Sequence, residues 1–128
     1  MPAIKDVDEF EKSWISLAEE IVRRVMANPE IQRIKTNLRD NGFLSLDEKS
    51  TFIVITDKIK YDLILETYGP EGSQGYQDFT EYWQLWVKLR GVQRNKPHNL
   101  YEENINHFLF GSTPDPEQFL REFDISEA

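Results

Sequence analysis

A long amphipathic segment near the N-terminus constrains this fold more than any other sequence feature. Its apolar residues recur at spacings of four, three, four and four, along Phe10, Trp14, Leu17, Ile21 and Val25. This spacing places them on one face of a helix that we predict over residues 8 to 27. An apolar face of that length must be covered, so the rest of the chain has to pack against it.

A second, shorter helix is predicted directly after the first. Asn28 followed by Pro29 is typical of an N-cap with proline at the first helical position. The apolar residues that follow, Ile31, Ile34 and Leu38, again share one helical face. Asn41 and Gly42 supply residues that tolerate the left-handed conformation, so we expect the helix to end there.

The middle of the chain has the composition of β-strands. Residues 51 to 56 are mainly β-branched, which predicts a buried strand. Residues 59 to 66 alternate between apolar and polar, which predicts a half-buried strand after a turn at Asp57 and Lys58. We also consider Phe43 to Leu46 as an additional strand.

The segment from Phe79 to Arg90 fits two patterns. Phe79, Trp83 and Trp86 nearly follow a helical face, whereas the apolar residues from Trp83 to Leu89 also alternate with polar ones. Because a helix would leave Leu85 and Val87 among polar neighbours, we predict a strand here.

Two helices are predicted at the C-terminal end. Leu100, Ile105, Phe108 and Leu109 indicate a helix stopped by Gly111, and Asp115 with Pro116 is a strong helix start. The predicted fold is therefore a single α+β domain over residues 1–128. It has an N-terminal helical pair, a three- to four-stranded antiparallel meander and two C-terminal helices.

The charge of the chain restricts its partners. Its 23 acidic and 15 basic residues give a net charge of -8, which disfavours nucleic acid and anionic lipid. The excess is C-terminal, since residues 101 to 128 hold seven acids and one base. The preceding basic stretch of Lys88, Arg90, Arg94 and Lys96 could attract these acids within the fold.

Cysteine and targeting signals are absent from the sequence. A chain with no cysteine has no disulfide, no thiol nucleophile and no thiolate metal site. No apolar stretch approaches the roughly 20 residues that span a bilayer, and Met1 to Asp8 does not resemble a secretion signal. We expect a cytoplasmic protein that does not bind membranes.

Catalytic motifs are also missing. His107 and Glu103 lie one predicted helical turn apart, but in the reverse order of a helical metal pair, and His98 lies beside a proline in a basic segment. The glycine-rich residues 69 to 75 have neither the spacing nor the lysine of a phosphate-binding loop. We therefore predict that the chain is not an enzyme and has no cofactor apart from the calcium considered next.

A calcium-binding loop is one alternative function. When Gly42 is aligned with the glycine of an EF-hand loop, the ligand positions fall on Asn37, Asn41, Phe43 and Glu48. Arg39 at the third ligand position opposes a dication. The hypothesis of a calcium-binding regulatory protein therefore depends on the second half of the loop, from Gly42 to Glu48, which resembles an EF-hand.

A winged-helix-like DNA binder is a further alternative. In that interpretation, the helix from Pro29 to Asp40 would read DNA with Arg33, Lys35 and Arg39, and the β-rich segment after Gly42 would form a wing. The acidity of the chain counts against this alternative.

The main functional prediction is a non-enzymatic protein-binding module, such as an adaptor, inhibitor, chaperone or regulatory subunit. If residues 79–90 form a strand, then Tyr82, Trp86, Lys88 and Arg90 share its outer face. Tyr, Trp and Arg dominate the energetics of protein interfaces. The partner would be another protein, bound through this sheet face or through the acidic C-terminal helices; the oligomeric state is left open.

Overall fold

The computed structural model describes residues 6–90 and 99–127, and these residues form six α-helices without any strand. The helices are α1 (Val7–Ala27), α2 (Pro29–Asn41), α3 (Leu46–Tyr68), α4 (Gln74–Arg90), α5 (Leu100–Leu109) and α6 (Pro116–Glu127). The predicted α+β class is therefore wrong, and so is the antiparallel meander.

Helix α1 is the central element of the bundle, as its sequence pattern predicted. The side chain of Asp6 accepts a hydrogen bond from the Glu9 amide at 2.8 Å and begins the helix. The apolar face is buried and packs against α2, α3, α4 and α5. Four helices thus cover the apolar face of α1.

The boundaries of α2 also confirm the prediction. The Asn28 side chain accepts hydrogen bonds from the amides of Glu30 and Ile31, and Pro29 occupies the first turn. Gly42 ends the helix with a φ of 82°, a left-handed conformation that glycine adopts without the strain of a Cβ.

Helix α3 replaces the two strands predicted between residues 51 and 66 and the turn between them. It is 23 residues long and begins with a reciprocal capping box between Ser45 and Glu48. Phe52, Thr56 and Leu63 lie on its buried side at helical spacing. The local β-propensity of residues 51–56 is overridden by this cap and by packing against α1. Phe43 to Leu46 is likewise the entry to a helix, not a strand.

Helix α4 replaces the strand predicted over residues 79–90. Phe79 and Trp86 are buried, with 9% and 0% of their surfaces exposed, and both belong to the hydrophobic core. They lie seven residues apart, which is two helical turns. Burial of two large aromatic side chains outweighs the alternating pattern, and it leaves Leu85 and Leu89 exposed.

The two C-terminal helices are confirmed. Gly111 follows α5 with a φ of 73°, and Asp115 caps α6 by accepting a hydrogen bond from the Gln118 amide at 2.9 Å. Helix α6 packs on α5 and α3, where Phe119 meets Phe52 with ring centroids 5.4 Å apart. Both ends of the predicted order, a helical pair at each terminus, are thus correct.

Buried polar groups of the aromatic core have partners that join distant helices. The Trp14 Nε1 donates to the Leu109 carbonyl oxygen at 2.8 Å, and Ser13 shares a 2.7 Å hydrogen bond with the Tyr68 hydroxyl. Burial raises the pKa of Tyr68 to about 12. The core therefore fixes α1 against both α3 and α5.

Candidate protein-binding surface

Helix α3 carries apolar side chains on two sides. Phe52 and Leu63 lie on one side and belong to the core, and Ile64 and Tyr68 near the C-terminal end of the helix are buried as well. The other side exposes large apolar residues to solvent, and their exposed fractions are 81% for Leu46, 38% for Ile53, 66% for Val54 and 44% for Tyr61. We call these four residues the outer α3 stripe.

The members of the outer α3 stripe are spaced at seven, one and seven residues, and the polar residues Ser50 and Asp57 lie between them on the same face. At about 100° per residue they all fall within a sector about 100° wide on one face. The stripe is about 22 Å long, from a rise of about 1.5 Å per residue. Phe43, which is 61% exposed, lies in the connection that leads into α3.

Polar contacts hold the margin of the stripe. The Tyr61 hydroxyl donates to Glu71 at 2.8 Å, which orients the ring. Lys58 and Asp62 form an ion pair at 3.1 Å beside the stripe, whereas Asp57 lies within the stripe and accepts a 2.7 Å hydrogen bond from Thr113. Polar groups around apolar residues are usual in protein interfaces.

The segment that carries the stripe is electrically neutral. Residues 46 to 61 contain three acids and three bases, in a chain whose net charge is -8. The acids are Asp47, Glu48 and Asp57, and the bases are Lys49, Lys58 and Lys60. Asp62 at the margin of the stripe adds one acid, which brings the local charge to -1, and Glu117 of the acidic C-terminal region pairs with Lys49 at 3.5 Å.

The structure does not bring the predicted partner row together on a sheet face. Trp86 is fully buried, stacks on Phe110 and donates its Nε1 to Glu11 at 2.7 Å. Tyr82 is half-buried and Lys88 is exposed, whereas the side chain of Arg90 lies outside the described residues. Trp86 is thus a core residue, and it cannot anchor a partner without unfolding of its surroundings. Arg94 and Lys96 of the basic stretch also lie outside the described residues.

Several acids of the C-terminal helices make contacts within the fold. Glu117 accepts a hydrogen bond from the Leu44 amide at 3.1 Å and pairs with Lys49 at 3.5 Å. Gln118 donates to Glu103 at 3.2 Å and to Glu122 at 3.1 Å. Burial raises the pKa of Glu122, and the nearby Glu103 carboxylate adds to the effect. These acids join α6 to its neighbours.

Two of the four predicted calcium ligands are adjacent. Asn37 donates to the Glu48 Oε2 at 2.7 Å, while the Glu48 Oε1 accepts from the Ser45 amide at 3.0 Å. Both carboxylate oxygens therefore already act in fixing the start of α3 on α2. Asn41 and Phe43 are exposed. The described ranges contain no group of three or more His, Asp or Glu side chains placed to hold a metal ion.

The winged-helix hypothesis requires a β-wing after Gly42, but the segment that would form this wing is helix α3. Of the basic residues proposed to read DNA, Lys35 is only 3% exposed and Arg33 forms an ion pair with Glu30. Arg39 is exposed on α2.

Two of the open grooves on the described surface lie away from the outer α3 stripe. One has a volume of about 320 Å³ and runs between α1 and α3, where Glu20 and Arg24 form an ion pair at 3.1 Å. The other, about 440 Å³, lies beside the start of α4 at Ser73 and Tyr76.

None of the helices in the described residues has the length and apolarity needed to cross a bilayer.

The outer α3 stripe was missed by the sequence analysis, although the sequence contains a signal for it. Ser45 and Glu48 form the capping-box pattern, which predicts a helix start. A helix begun there places Leu46, Ile53 and Tyr61 on one side and Phe52 on another.

Comparisons of the chain with protein-family models, curated proteins and solved structures found no match.

Proposed function

We propose that the chain is a non-enzymatic protein-binding module and that the outer α3 stripe is its docking surface. One observation carries this proposal: α3 exposes the four apolar residues of the outer α3 stripe within one sector about 100° wide, while Phe52 and Leu63 on another side are buried in the core. A surface helix normally has only one apolar side, and a helix that is apolar all round is normally covered on all sides.

The residue types at the centre of the stripe support the same conclusion. Ile and Val are poorer helix formers than Ala, Glu or Lys, because their branched side chains lose rotamer freedom against the preceding turn. At exposed positions of a helix they contribute neither helix propensity nor core packing. Ile53 and Val54 are therefore understandable as residues that pack against a second molecule.

The shape of the surface indicates the kind of partner. The stripe is about 22 Å long and is flanked by polar groups such as Lys58 and Asp62. An amphipathic helix can lie along such a surface and bury its own apolar face against it. We therefore propose recognition of a helical segment of a protein.

Photo-cross-linking tests this proposal. A benzophenone amino acid is placed at Val54 or, as a matched control, at Leu85, which is an apolar residue of α4 with 41% exposure. Both proteins are irradiated alone and in extract of the source cells. We expect protein adducts from the Val54 position that excess unlabelled wild-type protein suppresses, and much weaker adducts from Leu85.

The substitution Val54→Asp provides the second arm. It should abolish adduct formation by a probe at Leu46 while the circular dichroism spectrum stays helical. If the Val54 and Leu85 probes give the same adducts, or if Val54→Asp has no effect, the stripe is not a docking surface and the proposed function fails.

A further inference from the structure

We propose that the protein docked on the outer α3 stripe is a second copy of this chain, packed antiparallel about a two-fold axis. This inference rests on the proposed function, since it names the partner of the same surface. It is carried by the order of residues along the stripe and by the distribution of charge around it.

The stripe is nearly symmetric about its centre. A two-fold axis that passes between Ile53 and Val54 leaves Leu46 and Tyr61 about 11 Å away on opposite sides, at about 1.5 Å per residue. When two copies pack antiparallel, Leu46 of each therefore lies at the level of Tyr61 of the other. The Ile53 and Val54 residues of both copies meet at the centre. Such self-complementarity is the requirement for an isologous dimer.

The polar residues on the stripe fit this register. Ser50 and Asp57 lie about 5 Å from the axis on opposite sides, so the Ser50 hydroxyl of one copy is level with the Asp57 carboxylate of the other. At about 100° per residue, Asp47 and Lys58 lie on the same flank of the stripe. Antiparallel packing brings Asp47 of one copy towards Lys58 of the second, which also pairs with Asp62 of its own chain at 3.1 Å, and the symmetry repeats this arrangement.

The net charge of each region favours the second copy further. A surface that binds itself cannot carry a strong charge of one sign, because the charge would face itself. Residues 46 to 62, which include Asp62 at the margin, satisfy this condition with four acids and three bases, although the whole chain has a charge of -8. On the other flank of the stripe, Lys49 is paired with Glu117 at 3.5 Å, which offsets its charge.

The size of the stripe sets the expected affinity. Two helices that pack over about 22 Å bury an area at the small end for specific dimers, well below the roughly 1,600 Å² of a standard interface. We therefore expect a reversible dimer with a Kd on the order of 10 µM.

Sedimentation velocity across a concentration series is the first experiment. The wild-type chain should shift from monomer to dimer between about 1 and 300 µM. Val54→Asp places like charges at the two-fold axis and should raise the Kd by at least about tenfold, a loss of about 1.4 kcal/mol. Leu85→Asp, in α4, should leave the Kd unchanged. Leu46→Asp, at the most exposed position, serves as a second variant if Val54→Asp disturbs folding.

Cysteine cross-linking tests the register, and the chain suits it because it has no cysteine of its own. Leu46→Cys and Tyr61→Cys are prepared separately and treated with a short bis-maleimide, alone or mixed. We expect cross-linked dimers in the mixture and few with either variant alone, because identical positions lie about 22 Å apart in the antiparallel dimer.

Three results would overturn the second-copy proposal. These are a wild-type chain that stays monomeric throughout the series, a dimer that Val54→Asp does not weaken, and cross-linking of Leu46→Cys with itself as strong as in the mixture. The proposed function is judged separately. If the second copy fails while the Val54 probe still forms specific adducts with another protein, the docking surface stands; if both fail, the proposed function fails as well.

Discussion

At the residue scale, the difference between an exposed and a buried aromatic side chain decides where a partner can bind. The strand predicted over residues 79–90 would place Trp86 outward, beside Tyr82 and Arg90. In the helix, Trp86 is fully buried against Phe110 and Glu11. The residue type indicated a large energetic contribution to binding, whereas the burial of Trp86 predicts a contribution to stability. The neighbouring alternation could not show this, because it fits both strand and helix.

Truncation of Trp86 should therefore destabilise the fold. Trp86→Ala removes a fully buried indole and its 2.7 Å hydrogen bond to the Glu11 carboxylate. We expect the free energy of unfolding to fall by about 3 to 5 kcal/mol. Urea denaturation followed by circular dichroism measures this change, with Leu85→Ala as an exposed control that should cost less than about 0.5 kcal/mol. A loss of under about 1 kcal/mol for Trp86→Ala would contradict the burial.

The carboxyl group of Glu122 should make stability depend on pH. Its side chain is 8% exposed, its Oε2 has no hydrogen-bond partner, and burial raises its pKa. Because the folded state disfavours the charged form, stability falls as pH rises from the ordinary value of 4.5 through the raised value. Below that range the carboxyl is protonated in both states and imposes no such penalty.

Glu122→Gln removes this penalty, since the amide is neutral at every pH. We expect the variant to melt at a higher temperature than wild type at pH 8 and at nearly the same temperature at pH 4. Thermal melting at both values makes the comparison, with Glu102→Gln on α5 as a control. An equal difference in Tm at the two pH values would mean that ionisation of Glu122 does not oppose folding.

At the element scale, the capping residues predicted helix boundaries correctly, whereas β-propensity predicted the wrong secondary structure for α3. Asn28 with Pro29, Gly42, Gly111 and Asp115 mark helix boundaries in the sequence as they do in the structure. These signals are local, because each concerns backbone groups within a few residues. The β-branched run in α3 is also local, but its preference is weak against burial on α1. Such tertiary packing could not be predicted from the run itself.

The exposure of the outer α3 stripe results from the same competition between local β-propensity and helix formation. Once the Ser45 and Glu48 capping box begins a helix, the apolar residues of this run are divided between two sides. Phe52 goes to the core, whereas Ile53 and Val54 remain outside. A segment with the pattern of a strand that is buried on both faces thus forms a helix with one exposed apolar side. The candidate site could be located only after the element type was known.

The capping box makes a testable contribution to α3. Ser45→Ala removes the acceptor of the 3.1 Å hydrogen bond from the Glu48 amide. We expect a loss of about 1 kcal/mol in the free energy of unfolding, as for other N-cap residues. Ser50→Ala, an exposed position within α3, is the control and should not destabilise. Urea denaturation of both variants measures the difference, and equal stabilities would show that the cap is not needed.

The Glu48 carboxylate also provides a test of the calcium hypothesis. Its two oxygens accept hydrogen bonds from Asn37 and from the Ser45 amide, so a cation would have to displace both. We expect a calcium titration to produce no saturable chemical-shift change at Asn37, Asn41 and Glu48. A saturable change that Glu48→Gln removes would instead establish the calcium-binding alternative.

At the scale of the whole molecule, charge and apolar contact oppose each other. The bundle is organised around α1, with the neutral outer α3 stripe exposed and an acidic excess in the C-terminal region. Two copies with charges of -8 and centres about 30 Å apart would repel by about 9 kcal/mol in unscreened water. Exposed ion pairs such as Asp47 with Lys58 contribute about 1 kcal/mol or less each. Repulsion therefore dominates the electrostatics at low salt.

Salt should consequently strengthen association through the outer α3 stripe. The Debye length falls from about 30 Å at 0.01 M to about 8 Å at 0.15 M, which removes most of the repulsion between whole molecules and leaves apolar contact intact. We expect the dimer Kd from sedimentation to decrease as sodium chloride is raised over this range. Val54→Asp should remain largely monomeric throughout, because screening does not restore the apolar contact. A Kd that increases with salt would mean that ionic contacts hold the copies together, and it would argue against the stripe as the interface.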